Sequence, residues 1–272
     1  MKNIQILFLD SGTGGLPYMI HLKEIAPEIR CVYVGDTANF PYGEKTLEQI
    51  KFMAAETVER AIKRFNPQIV VVACNTISVA ALKTLRARFS IPFVGTVPAI
   101  KLAAALTENK KIGLLATRYT IEDSYTTDLI NQFASDCSVF KRGDAELISF
   151  IEHNLFTASY EEKLKAVKPA VDFFKKADVD TVVLACTHFL HLISEFKESF
   201  EKNVKIVDSR DGVIKQAMRL IKEISNTEKS NDSIFDVADM GVFVTSLRNK
   251  DDEYEYRNWC NLFNVPFLGL LN

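Results

Sequence analysis

Short apolar runs alternate along the chain with longer stretches in which apolar positions recur every three to four residues. The runs are IQILFLD (4–10), CVYVGD (31–36), IVVVACN (69–75), IPFVGTV (91–97), KIGLLAT (111–117), TVVLACT (181–187) and VKIVDS (204–209). They are apolar throughout rather than on alternate positions, which predicts parallel strands buried on both faces. Between them, LEQIKFMAAETVERAIKRF (47–65) places apolar residues at i, i+3, i+4 and i+7, the mark of an amphipathic helix. Strands and helices alternating through short links predict an α/β protein. From residue 223 the chain turns polar (EISNTEKSNDS) and then aromatic (EYEYRNWCNLFNVPFLGLL). These stretches read as a loop and a closing helical segment packed on the first half.

The pattern also repeats. IVVVACNT (69–76) aligns with TVVLACTH (181–188), so Cys186 follows Cys74 by 112 residues (186 − 74). Downstream, PFVGT (92–96) aligns with KIVDS (205–209) at an offset of 113 (205 − 92). Any two buried strands look somewhat alike; the shared Ala-Cys at the strand end is what makes this a repeat. The chain therefore reads as two similar α/β halves. Open parallel sheets bind ligands beyond the carboxyl ends of their strands. Both cysteines lie at such ends, and a cleft between facing halves would bring them together.

Composition narrows the function. The chain of 272 residues is long enough for one large domain or two ordinary ones. Its 47% hydrophobic and 25% charged content is that of a globular protein. With 33 basic against 35 acidic residues, net charge is −2, and nothing points to a nucleic-acid or membrane partner. The first apolar stretch is too short for a signal sequence and lacks a small-residue cleavage site. No run approaches the ~18 apolar residues of a membrane helix. A cytoplasmic protein is expected.

The five cysteines, Cys31, Cys74, Cys137, Cys186 and Cys260, are odd in number and widely spread, without CxxC. That argues against a disulfide framework and a zinc ribbon. Cys31, Cys137 and Cys260 read as small hydrophobic residues. Cys74 and Cys186 each sit between a strand and a predicted helix, where the helix dipole favours thiolate. Asn75, Thr76 and Thr187 offer caps and hydrogen-bond donors there, and His188 is near enough to Cys186 to bond a thiol or a ligand. Two thiols facing one cleft suit proton transfer at carbon, one removing a proton from one face and the other returning one to the opposite face.

Two further clusters stand out. In DSGTGG (10–15) the glycines allow a tight turn and close approach to a ligand, although the spacing is not that of a dinucleotide fingerprint. Asp10 is open to three roles: base, helix cap or hydrogen-bond orienter. Asp36, ending the second strand, and PYG (41–43) form the other cluster, expected to face the same cleft.

DSGTGGL (10–16), GDTANFPYGEK (35–45), ACNTIS (73–78), VPAIK (97–101), GLLATR (113–118) and ACTHF (185–189) together resemble the glutamate racemases of the aspartate/glutamate racemase superfamily. The resemblance runs over residues 4 to 222, and VFVTS (242–246) matches a further strand. It implies two pseudo-symmetric, flavodoxin-like parallel-sheet domains, residues 1–96 with 210–272 and residues 97–209, with the active site in the cleft between them. It implies cofactor-independent interconversion of L- and D-glutamate, supplying D-glutamate for peptidoglycan, with no cofactor, no metal, no nucleic acid and no membrane. Family members are often homodimers. By position, Cys74 and Cys186 match the acid/base pair, the first for the D- and the second for the L-enantiomer. Asp10 and His188 match the groups assisting each thiol, and Asp36 and Glu152 match supporting acidic positions. Asp10 with Ser11, Tyr42 with Gly43, Asn75 with Thr76, and Thr187 with His188 match substrate contacts. Three places depart from the family pattern: Ala185 before and Phe189-Leu190 after the CTH motif, Ile77 after CNT, and GDAELISFIE (143–152) where a Cys-Pro segment is common.

Other readings give different observables. An aspartate or broad-specificity racemase would turn over L-aspartate as well. A metal enzyme using Cys74, Cys186, His188 and an aspartate would lose activity on chelation. A non-enzymatic two-lobed binding protein would keep its function in Cys74→Ala. A pyridoxal-phosphate racemase would need a lysine at a strand end beside a phosphate-binding turn.

Overall fold

A computed structural model of the chain describes residues 4–200, 204–227, 240–247 and 250–271. In chain order its strands are β1 (Ile6–Asp10), β2 (Cys31–Gly35), β3 (Ile69–Val72), β4 (Phe93–Gly95), β5 (Lys111–Ala116), β6 (Ser138–Gly143), β7 (Thr181–Leu184), β8 (Lys205–Val207), β9 (Met240–Val244) and β10 (Phe267–Leu270). They form one sheet in the order β10-β9-β2-β1-β3-β4 and another in the order β6-β5-β7-β8. Neighbouring strands are parallel throughout both. The chain divides into two compact units, Met1–Thr96 with Arg210–Asn272, and Val97–Ser209.

The strands lie where the apolar runs predict, trimmed by one to three residues at their ends. β1, β2, β3 and β7 are buried at every position, as strands covered by helices on both faces must be. The helix Leu47–Phe65 forms as its period requires. Thr46 and Gln49 close a capping box at its start, and Asn66 in the left-handed region (φ 44°) ends it. Ile50, Ala54, Val58, Ala61 and Phe65 form its buried stripe, and it packs against the helix Asn75–Arg88. In the second unit, Ile112, Leu114, Ala116, Val183 and Ala185 build the core with Ile100 and Ala103 from the helix Ile100–Leu106.

The repeat is visible in strand order and register. β2-β1-β3-β4 and β6-β5-β7-β8 follow one flavodoxin-like order. Val71 pairs with Val94, and Val183 pairs with Val207. The second pair thus carries the same offsets, 112 and 113, as the aligned sequence (183 − 71; 207 − 94).

The carboxyl-terminal part keeps its expected closing helix and differs on either side of it. Residues 223–227 continue the helix Arg210–Thr227 rather than opening a loop; residues 228–233 of that expected loop lie outside the described residues. The aromatic stretch is a helix, Lys250–Leu262, followed by β10, an edge strand of the first sheet. VFVTS overlaps β9, which pairs with β2. β6 (SVFKRG) carries no continuous apolar run and is exposed or half-buried throughout, whereas β10 (FLGL) is apolar but lies within the stretch expected to be helical. Among the described residues no helix is long and apolar enough to cross a membrane.

Candidate active site

In the first unit, β1 and β3 are neighbours, and their carboxyl ends set Asp10 beside the segment leading into Cys74. Cys74 is extended (φ −139°, ψ 121°) and immediately precedes the helix Asn75–Arg88. Its carbonyl accepts from Ser78 N at 2.9 Å. Its thiol thus belongs to the residue at the helix N-terminus, where the dipole favours negative charge. Asn75 and Thr76 are the first helical residues, not caps, and no side chain caps this helix. Asn75 Oδ1 is buried with no hydrogen-bond partner among the described residues. Such an atom costs about 1–3 kcal/mol, and a ligand N–H would satisfy it.

Asp10 is fully buried. Its Oδ1 accepts from Ser11 Oγ at 3.0 Å and from Gly12 N at 3.1 Å. Of its three sequence readings, helix capping is not realised, because the next helix, Leu16–Ile25, starts at Gly15 without a side-chain cap. Gly15 is sterically required here. A Cβ on it would lie 2.8 Å from both Asp10 Oδ2 and the carbonyl oxygen of Ala73, the residue before Cys74.

Asp36 is the centre of a buried network. Its Oδ2 accepts from Tyr42 Oη at 2.5 Å and Thr57 Oγ1 at 2.9 Å, and its Oδ1 from Thr245 Oγ1 at 2.8 Å. Asn39 Nδ2 donates to both oxygens, at 3.1 and 3.0 Å. Tyr42 and Gly43 lie on the short 3₁₀ turn Tyr42–Glu44, which packs against the helix that Cys74 precedes. Burial, followed by the charge of Asp36 and the hydrogen bond to it and then by Cys74, pushes the Tyr42 phenol well above its ordinary range. Tyr42 therefore stays a donor.

In the second unit, Cys186 has nearly the same backbone geometry as Cys74 (φ −133°, ψ 134°). The chain then makes a 3₁₀ turn, Thr187–Leu192, and only afterwards enters the helix Ile193–Phe200. The helix expected directly after Cys186 is therefore displaced along the chain, and a histidine stands beside the thiol. His188 Nδ1 lies 3.7 Å from Cys186 Sγ, and His188 Nε2 lies 2.9 Å from Glu152 Oε2. Glu152 is only 1% exposed and His188 2%. The divergent segment 143–152 delivers this carboxylate. Asp144 caps the helix Ala145–His153 through Leu147 N, and Leu147, Ile148, Ile151 and Glu152 share its buried face. That helix packs on the 3₁₀ turn. Burial works against charge on His188, but its hydrogen bonds to Cys186 and Glu152 prevail and hold its pKa well above the ordinary value.

The two thiols are equivalent in place and different in company. Leu9 pairs with Val72 as Leu115 pairs with Leu184, so the counterpart of Asp10 is Ala116 and that of His188 is Thr76. Thr57, Asn39 and Thr245 escaped the sequence reading; only the strand match of VFVTS pointed towards the last. Among the described residues no group of three or more His, Cys, Asp or Glu side chains is arranged to hold a metal ion.

The profile of the Asp/Glu/hydantoin racemase family matches residues 18–217. The chain belongs to this racemase family. It is an isomerase closely related to glutamate racemases. The glutamate racemase of Treponema pallidum (strain Nichols) is 38% identical over 271 residues, which is 100% of this chain and 98% of that one. Among solved structures, Escherichia coli glutamate racemase, crystallised with L-glutamate and the activator UDP-MurNAc-Ala, superposes with a TM-score of 0.83 at 32% identity, covering 98% of this chain and 97% of that one. A glutamate racemase isoform from Bacillus anthracis superposes with a TM-score of 0.75 at 26% identity, covering 96% and 95%. The two parallel-sheet units are thus the lobes of the racemase fold.

Proposed function

We propose that the enzyme interconverts L- and D-glutamate without a cofactor, using Cys74 and Cys186 as the two acid/base groups at Cα. One observation carries this reading: the repeat supplies two thiols at equivalent strand ends, each with its own polar partners. Racemisation needs one group to take the Cα proton while a second delivers a proton to the opposite face, with the roles exchanged in the reverse direction. A pseudo-symmetric pair suits that demand. We assign removal of the proton from the D-enantiomer to Cys74 and from the L-enantiomer to Cys186. Asp10 assists the first thiol, and His188 with Glu152 assists the second.

The Cα proton of an amino acid is far less acidic than a thiol, so the developing carbanion needs stabilisation by fixed donors. Asn75, Thr76 and Thr187 are the substrate-binding donors in this reading and Ser11 a further substrate contact, with the helix N-terminus at Asn75 suited to a carboxylate. The unpartnered Asn75 Oδ1 suits the α-ammonium group. Tyr42 and Gly43, held by Asp36, complete the pocket. The reading is also supported by relatives named for glutamate racemisation and by one solved with L-glutamate.

The test is turnover of L-glutamate and L-aspartate side by side, followed by chiral chromatography. L-Aspartate lacks one methylene, a difference worth about 10–200-fold in kcat/KM. Glutamate is expected to be preferred by that factor. Equal rates would place the chain with aspartate or broad-specificity racemases.

A further inference from the structure

Thr245 lies just beyond β9, in the carboxyl-terminal part of the first unit, far in sequence from Cys74. With Ser246 it is fastened to residues 35–38. Thr245 N donates to Gly35 O at 3.0 Å, Ser246 N to Thr37 Oγ1 at 3.0 Å, and Thr37 Oγ1 to Ser246 O at 2.8 Å. The Thr245 hydroxyl accepts from Ala38 N at 2.9 Å and donates to Asp36 Oδ1 at 2.8 Å. Because Ala38 supplies a proton to this oxygen, the hydroxyl's own proton is directed at Asp36. The other oxygen of Asp36 receives Tyr42 Oη at 2.5 Å. A continuous line of hydrogen bonds therefore runs from β9 through a buried carboxylate to the turn beside the Cys74 helix.

We propose that Thr245 is a positioning residue for the racemase reaction, which through Asp36 holds the Tyr42–Gly43 turn in the geometry that receives substrate. The inference rests on the assignment of Tyr42 and Gly43 to substrate binding. It gives β9 a part in the site beyond extending the sheet. The strand itself has independent anchorage. β9 pairs with β2 along its length and with β10 on its other side, the Arg64 guanidinium lies 4.4 Å over the Phe243 ring, and β10 is itself held by Arg60 and Arg64, which donate to the carbonyls of Leu271 and Leu270. Losing one hydroxyl leaves these contacts intact, so the fold is expected to survive its removal.

The test compares Thr245→Val and Thr245→Ser with the parent in steady-state racemisation of both glutamate enantiomers, alongside thermal melting. Thr245→Val keeps the shape and removes a hydrogen bond to a carboxylate. It is expected to raise KM about tenfold with kcat little changed, because the turn binds substrate without moving the proton. Thr245→Ser restores the hydroxyl and is expected to match the parent. Parental KM in Thr245→Val, or a lowered melting temperature with unchanged kinetics, would overturn the proposal. So would impairment of Thr245→Ser equal to that of Thr245→Val, because the hydroxyl would then not be enough to hold the turn. If Thr245→Val fails to fold, Thr245→Ala is read in its place; failure of both to fold makes the residue structural and also overturns the proposal. A parent that does not racemise glutamate defeats the functional reading itself, before any variant is compared.

Discussion

Cys74→Ala and Cys186→Ala are each expected to lower glutamate racemisation about 10²–10⁴-fold or more, the range that general acid–base groups supply. The loss should appear in both directions. In the proposed mechanism one thiol takes a proton and the other gives one whichever enantiomer is the substrate, so neither direction survives on a single group. Controls come from the same chain. Burial pushes the Cys31 and Cys260 thiols up to about 12, so both stay protonated near neutrality. Cys31→Ala and Cys260→Ala should keep parental rates while giving up some packing. Initial rates by chiral chromatography, with melting curves for each variant, separate the two classes. A Cys74 or Cys186 variant that racemises at the parental rate would return that thiol to the packing role.

Glu152→Gln is expected to cost about 10²-fold in kcat/KM and to alter the pH profile. The substitution keeps the side-chain size and one hydrogen bond to His188 Nε2 but removes the charge. A hydrogen bond to a charged group is worth about 1.5–3 kcal/mol, and losing the upper end of that range in the transition state corresponds to about 10²-fold. The sign of the pH effect follows from the causes acting on His188. Burial lowers its pKa, whereas Cys186 and Glu152 raise it and prevail. Without the carboxylate the imidazolium is lost at a lower pH. The alkaline limb of the profile should therefore move to lower pH, most visibly with L-glutamate, whose proton goes to Cys186 in the proposed mechanism. An unmoved limb in a folded Glu152→Gln enzyme would show that Glu152 does not act through His188.

Much of this site is legible in the sequence because its parts are local. Asp10, Cys74 and Cys186 stand at or just past strand ends, and a buried parallel strand is an unmistakable apolar run. The repeat is legible for the same reason: IVVV and TVVL are both all-buried strands. Features that depend on contacts distant in sequence are harder to read. The bond between Thr245 and Asp36 spans 209 residues, and no pattern near either end announces it. The His188–Glu152 pair spans 36 residues, and Glu152 sits in the segment that departs most from the family pattern. Periodicity foresees a helix after Cys186, yet the chain makes a 3₁₀ turn first. THFLHL is apolar enough for either, and packing against the helix Ala145–His153 accompanies the tighter form. The edge strand β6 is similarly muted, since its exposed and half-buried positions carry no continuous apolar signal.

The central claim is that two different groups handle the two faces of Cα. It is tested most directly by running the parent enzyme on L-glutamate in D₂O and reading deuterium at Cα in each enantiomer at early conversion. Two thiols that exchange with solvent should place deuterium in the newly formed D-glutamate while the remaining L-glutamate keeps its proton. D-Glutamate that retains the substrate's own proton, or deuterium appearing equally in both pools from the start, would mean that a single group serves both faces and would contradict the two-cysteine account.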